Sequence, residues 1–222
     1  MSITTVGIIG AGTMGNGIAQ ACAVSGIQVV MVDISDAAVA KGLATVAGSL
    51  ERLLKKEKIS AADKDAALAR IKGSTSYDDL KGAGLVIEAA TENHELKVRI
   101  LKQIDAIVVP EVIIASNTSG LSIAALAQGL PTSVGPRFCG IHFFNPPRYM
   151  ALVELIPTPG TDPGTLDALE TWLTSRLGKS VVRARDTPNF VANRIGVFSI
   201  LAVLHHTAAF GLGFDEVDAL TG

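Results

Sequence analysis

Six residues, Gly10-Ala11-Gly12-Thr13-Met14-Gly15, constrain this chain more than any other stretch. They follow an apolar β-branched run, Thr4 to Ile9, and open a helical pattern from Thr13 to Ser25; a valine-rich run, Gln28 to Asp33, comes next. That order predicts a βαβ unit with a G-x-G-x-x-G turn between strand and helix, the context that lifts the pattern above a chance match. Gly10 permits the tight turn, Gly12 lets the backbone approach a pyrophosphate, and Gly15 allows helix and strand to touch. The first helical turn, through Thr13 and Met14, offers unpaired N–H groups and a partial positive charge to phosphate. Asp33 stands 21 residues after Gly12, where a carboxylate accepts hydrogen bonds from an adenosine ribose. Its charge repels a 2′-phosphate and no arginine follows nearby, so NAD is favoured over NADP. The plainer alternatives are a glycine-rich turn without a ligand, and an aspartate that caps the next turn beside Ser35 and Asp36.

A long amphipathic pattern follows, with Val39, Leu43, Val46, Leu50 and Leu53 on one face and Lys41, Glu51, Lys55 and Lys56 on the other. Ser60 with Asp63 reads as a capping box that opens a second helix to about Ile71. Together they predict a helical-hairpin arm over about 36–72. Apolar runs at Leu85 to Ala89 and Val112 to Ser116, separated by a helical stretch from His94 to Val108, restore the alternation of a parallel sheet. Strands are expected at Phe138 to Phe144, Leu152 to Ile156 and Val181 to Ala184, with a helix from Pro163 to Leu177. Asn145-Pro146-Pro147 turns the first two back on each other as antiparallel neighbours. The fold class is therefore α/β: a Rossmann-type doubly wound sheet with a helical-hairpin arm over residues 1–185, then the start of an all-α C-terminal domain over 186–222.

Phe190 to Phe210 reads as a helix that is apolar on nearly every side, through Ile195, Val197, Phe198, Ile200, Leu201, Val203 and Leu204. Such a helix calls for cover. Six of these side chains left in water forgo on the order of 10 kcal/mol, at roughly 1.5–3 each. Little sequence follows, so the expectation is a longer protein or a second copy of the chain.

The chain has 222 residues, 48% of them hydrophobic and 18% charged, which excludes a disordered tail or low-complexity scaffold. With 19 basic and 21 acidic residues the formal charge is −2, so no nucleic-acid or anionic-membrane partner is indicated. Two cysteines, Cys22 and Cys139, make no disulfide framework. The first residues lack the pattern of a secretion signal, and the longest apolar run ends at His205-His206, too short for a bilayer. A cytoplasmic protein without a membrane anchor is expected. No metal site is expected either: Cys139 and His142 point to opposite faces of a strand, and His205 and His206 do not share a helix face. Trp172 and Leu173 are expected to pack a helix onto the sheet, and Arg137 and Arg148 to be solvated loop charges.

His142 and Glu154 are polar residues on otherwise apolar strands. If those strands fold back about a centre near Arg148, the two positions are equidistant from it and face each other. A carboxylate bonded to one imidazole nitrogen fixes the tautomer and supports the charge formed when the other nitrogen takes a proton. Oxidation of a hydroxyl needs such a base while hydride leaves carbon for nicotinamide. A buried structural His–Glu pair fits the residues equally well.

The glycine loop, Ser116-Asn117-Thr118-Ser119, His142-Phe143-Phe144-Asn145-Pro146, Leu152-Val153-Glu154 and Asp186-Thr187-Pro188-Asn189-Phe190-Val191-Ala192-Asn193-Arg194 together resemble L-3-hydroxyacyl-CoA dehydrogenases, including the 3-hydroxybutyryl-CoA enzymes. The likeness covers essentially the whole chain. It implies NAD-dependent, reversible oxidation of an L-3-hydroxyacyl-CoA, with His142 as general base, Glu154 its orienting partner, and Ser119 and Asn193 against the reacting part of the substrate. It implies that Glu92, Lys97, Ser119 and Asn145 line the nicotinamide end of the cofactor site, and that Asn117 also binds the cofactor. It also implies that the arm closes over coenzyme A, with Ser49 and Lys56 as substrate contacts. On the residues alone, Lys55, Lys56 and Lys58 suit a solvated helix end better than a phosphate site. Members of the family continue into a helical region that completes the substrate domain and makes a homodimer contact. A catalytically silent NAD-binding module is the competing reading. A free β-hydroxyacid dehydrogenase, which uses a lysine base, suits the His–Glu pair less.

Overall fold

The first strand, β1 (Thr5–Ile9), divides its side chains between two apolar layers, as a strand buried on both faces must. Val6 and Ile8 pack on one side and Ile9 on the other. In this computed structural model, which describes residues 3–221, β1 lies within an eight-stranded sheet. The other strands are β2 (Gln28–Val32), β3 (Ile71–Ser74), β4 (Leu85–Glu88), β5 (Ile113–Ser116), β6 (Phe138–Phe143), β7 (Leu152–Pro157) and β8 (Ser180–Arg183). Their spatial order is β3-β2-β1-β4-β5-β6-β7-β8. The first six run parallel; β7 is antiparallel to β6, and β8 is parallel to β7.

One face carries α1 (Thr13–Val24), α2 (Asp36–Lys55), α3 (Ala61–Ala69) and α6 (Pro163–Ser175). The other carries α4 (His94–Asp105) and α5 (Ile123–Gln128). Trp172 and Leu173 are buried as expected, with the Trp172 indole N–H donating to the Ile3 carbonyl at 3.1 Å. The capping box at Ser60 and Asp63 is present and opens α3. The arm is not free-standing, because α2 buries Val39, Val46 and Leu50 and packs with α3 against α1.

Three expectations need correction, and one element was not foreseen. The second arm helix ends at Ala69, and Ile71 instead opens β3, an edge strand with only Ile71 fully buried. Alternation had nothing to register there. The short helix α5 was not anticipated; Ser122 caps it. Arg137 is no solvated charge, since its guanidinium pairs with Asp105 and donates to the Val112 carbonyl at 2.8 Å. Arg148 is half-buried, with its guanidinium 4.9 Å from the Tyr149 ring centre.

The apolar helix exists as α7 (Ala192–Phe210), followed by α8 (Phe214–Thr221). Within this chain α7 is largely uncovered, with Phe198 72% exposed and only Thr207 buried.

Candidate active site

Strand order reverses between β1 and β4, and the carboxyl ends of these strands open a crevice where open α/β sheets hold ligands. Gly10 enters it with φ +102°, a left-handed conformation, and a Cβ there meets the Ala89 carbonyl oxygen at 2.8 Å. A Cβ on Gly15 collides with the Gly10 carbonyl oxygen. Gly12 is the opposite case: nothing lies within 4 Å of a Cβ built there. The backbone at Gly12 thus faces open space in front of a helix whose first turn has no side-chain cap and no acidic residue. Helices α2, α3, α4, α5 and α6 all have side-chain caps. An uncapped amino terminus behind an open glycine fits a pyrophosphate.

A cavity of about 440 Å³ lies there, lined by Gly12, Thr13, Asn16, Asp33, Lys41, Asn145, Pro146 and Arg148 among others. A second, of about 220 Å³, includes Gly10, Asp33, Ile34, Tyr77 and Ala90. Asp33 separates the two. Its Oδ2 accepts from the Ala11 N–H at 2.6 Å and its Oδ1 from the Ile34 N–H at 2.7 Å, so the carboxylate is held at the edge of both. Burial, reinforced by Glu88 and Asp33, pushes the Tyr77 phenol above its ordinary pKa. Met14, in the first turn of α1, is partly buried against the apolar layer on that face of the sheet.

At the ends of β4 and β5, Glu88 is fully buried and accepts from Lys97 Nζ at 2.6 Å, Ser116 Oγ at 2.8 Å and the Ala90 N–H at 2.8 Å. Glu92 sits 3.8 Å from Lys97 Nζ and accepts from the Thr118 hydroxyl at 2.7 Å and from the Ser119 N–H and hydroxyl at 2.9 and 3.1 Å. Partial burial raises the Glu92 pKa, but Ser119, Thr118 and Lys97 outweigh it and leave the carboxyl below its ordinary range. Asn117 Oδ1 accepts from the Phe143 N–H at 2.9 Å, tying this loop to the end of β6.

Register pairs His142 with Glu154 across β6 and β7, as the count about Arg148 predicts. Both side chains are buried, and His142 Nδ1 lies 2.8 Å from Glu154 Oε2. With Nδ1–H donating to the carboxylate, Nε2 keeps its lone pair. Phe144 and Phe190 flank the imidazole, with ring centres 4.5 and 5.6 Å away. The other carboxylate oxygen, Oε1, accepts from the Val191 and Ala192 N–H groups at 3.0 and 2.8 Å. Asn189 and Phe190, both at positive φ, make the turn that aims those groups. Asn193 follows in the first turn of α7.

The crevice thus gathers Gly10, Gly12, Thr13, Asp33 and Asn145 around the cavities, and Glu92, Lys97, Asn117 and Ser119 along its β4–β5 rim. Two expected substrate contacts stand apart in α2. Ser49 is 1% exposed, and its hydroxyl has no hydrogen-bond partner. Lys56 caps the exposed carboxyl end of α2. Glu88 and Phe190 were not foreseen. A glutamate ending a buried strand is the signal that could have revealed the first, whereas Phe190 was read only as the start of the apolar helix and as part of the Asp186–Arg194 motif. Among the described residues, no group of three or more His, Cys, Asp or Glu is arranged to hold a metal, and no helix is long and apolar enough to cross a membrane.

Fold and crevice together define a dinucleotide-binding α/β protein. Residues 5–187 match the family described as 3-hydroxyacyl-CoA dehydrogenase, NAD binding domain. The chain belongs to that family. A 3-hydroxybutyryl-CoA dehydrogenase of Bradyrhizobium diazoefficiens is 44% identical over 193 residues, which cover 87% of this chain and 65% of that protein. The crystal structure of the (S)-3-hydroxybutyryl-CoA dehydrogenase PaaH1 from Ralstonia eutropha superposes with a TM-score of 0.90 at 60% identity, covering 96% of this chain and 74% of that one. M. tuberculosis FadB2 gives 0.93 at 34%, covering 98% and 76%. The chain thus spans about two thirds of the curated relative's length.

Proposed function

We propose that this chain carries the NAD-binding and proton-transfer machinery of a reversible 3-hydroxyacyl-CoA dehydrogenase. The observation that carries the reading is the 2.8 Å contact between His142 Nδ1 and Glu154 Oε2, on the carboxyl edge of the sheet that also holds the glycine turn. When bound, NAD supplies a nicotinamide ring that accepts hydride from the carbinol carbon. His142 Nε2 takes the hydroxyl proton in the oxidative direction and returns it in the reductive one. Glu154 keeps that nitrogen free and supports the imidazolium. Ser119 and Asn193 hold the reacting oxygen in reach of His142, while Glu92, Lys97, Asn117 and Asn145 shape the nicotinamide end. Gly10, Gly12, Thr13, Met14 and Gly15 form the pyrophosphate turn, and Asp33 takes the ribose hydroxyls. Ser49 and Lys56 contact coenzyme A once the arm shifts to release the buried hydroxyl.

Residues 1–185 then act as the cofactor domain. Residues 186–222 begin a helical domain for substrate and for a homodimer contact. The test is His142→Gln in the longest natural form of the protein. Acetoacetyl-CoA-dependent NADH oxidation is expected to fall by on the order of 10²–10⁴-fold while NADH still binds. Undiminished turnover removes His142 from the mechanism.

The uncovered face of α7 favours a second reading, in which these 222 residues alone bind NAD without catalysing. Turnover by the purified chain rejects it.

A further inference from the structure

Lys179 is a buried cation that the reaction above does not use. Its Nζ donates to the Pro147 carbonyl at 2.7 Å and to the Met150 carbonyl at 2.8 Å. Among the described residues no carboxylate forms an ion pair with it. Burial pulls its pKa below the ordinary lysine range, with the Cys22 side chain opposing that in part. Burying an ammonium without a counter-charge is costly, and the two carbonyls it serves offset only part of that cost, so its placement calls for a reason beyond packing.

Both carbonyls belong to one connection, residues 144–151, between the strand of His142 and the strand of Glu154. The same connection supplies Asn145, Pro146 and Arg148 to the larger cavity. Its near side rests on α1 just past the glycine turn, where a Cβ on Gly17 would meet Pro147 Cδ at 2.8 Å. Its far side is fastened by Lys179, whose own backbone N–H is fixed to the Leu173 carbonyl of α6 at 3.0 Å.

We propose that Lys179 is a positioning residue for the NAD groove, clamping the β6–β7 connection so that Asn145, Pro146 and Arg148 stand at a fixed height over the glycine turn. The clamp rests on the NAD reading above and adds to it the residue that sets the groove's outer wall. It acts on the Asn145–Arg148 wall of the larger cavity, which Asp33 also borders, and not on the smaller cavity at Ile34 and Tyr77.

The test compares this chain with Lys179→Met, which keeps the apolar stem, and with Lys179→Gln, which restores two N–H donors without charge. NADH affinity is read by fluorescence titration, 5′-AMP affinity by competition, and folding by thermal denaturation. Lys179→Met, which leaves the Pro147 carbonyl without this donor, is expected to melt lower than wild type but stay folded, to weaken NADH by about tenfold, and to leave 5′-AMP within about twofold. Lys179→Gln is expected between the two for NADH. Unchanged NADH affinity in Lys179→Met overturns the clamp. So does equal weakening of NADH and 5′-AMP, and so does unfolding of both variants, which would make the ammonium a structural group. Failure of the wild-type chain to bind NADH overturns the NAD reading itself, a result visible before any variant is made.

Discussion

Glu154 serves two neighbours with different oxygens: Oε2 meets His142, and Oε1 receives the Val191 and Ala192 N–H groups ahead of Asn193. An amide satisfies both only by changing the imidazole tautomer. In Glu154→Gln, an amide oxygen kept on the two N–H donors turns its NH₂ toward Nδ1, which shifts the imidazole proton to Nε2, the wrong tautomer for a base. Turnover is expected to drop by on the order of 10²–10⁴-fold with NADH affinity little changed, in the longest natural form of the protein. A parallel loss of NADH binding would show a collapsed site instead.

Glu92 allows a pH test. Its folded pKa lies below the ordinary 4.5, so the charged form is the one the fold prefers. That contribution is present above about 4.5 and is lost as the pH falls through the folded value. Glu92→Gln should therefore lower the melting temperature most near neutrality, with the gap to wild type closing in acid; a gap constant across that range sinks the assignment. At this scale the His142–Glu154 pairing was legible because register is arithmetic about a turn. Glu88 was hidden because its partners, Lys97 and Ser116, lie on a helix and a neighbouring strand that no local pattern links to it.

The β1–α1 unit was legible almost residue by residue, because glycines at a fixed spacing have distinct steric reasons. Those reasons separate two substitutions that look alike. Gly15→Ala drives a methyl into the Gly10 carbonyl and forces strand and helix apart, with an expected cost of at least 1–3 kcal/mol. Gly12→Ala meets nothing, and Gly12 has φ −66°, which alanine adopts freely. It should melt close to wild type yet lose most NADH affinity, because the methyl occupies the approach of the pyrophosphate. Two variants with the same melting loss would refute the distinction. By contrast β3 was not expected at all and β8 was placed one residue late, because edge strands need not bury alternate residues: β3 buries only Ile71, and no residue of β8 is fully buried. Where burial is absent, so is the periodic signal it imposes.

At the scale of the molecule, the parallel order followed from strands and helices alternating along the chain, and the two apolar layers followed from that order. The outward side of α7 did not: among the described residues it is left uncovered, and the order of strands and helices does not say what packs there. Ile195, Phe198, Ile200 and Leu201 are each more than half exposed on α7, and Phe210 and Phe214 flank the turn into α8. Hiding one such side chain contributes roughly 1.5–3 kcal/mol, and association costs an estimated 4–15 kcal/mol in lost freedom and ordering. Ile195, Phe198 and Leu201 share one side of the helix; two copies that each bury these three gain on the order of 9–18 kcal/mol, of the same size as that cost, so weak association rather than a tight dimer is the expectation. Sedimentation of this chain is expected to show self-association in the micromolar range. Phe198→Glu with Leu201→Lys should shift it to monomer without lowering the melting temperature, since Phe198 and Leu201 are exposed in the single chain. A wild-type chain that stays monomeric at 100 µM would exclude α7 as a contact between copies.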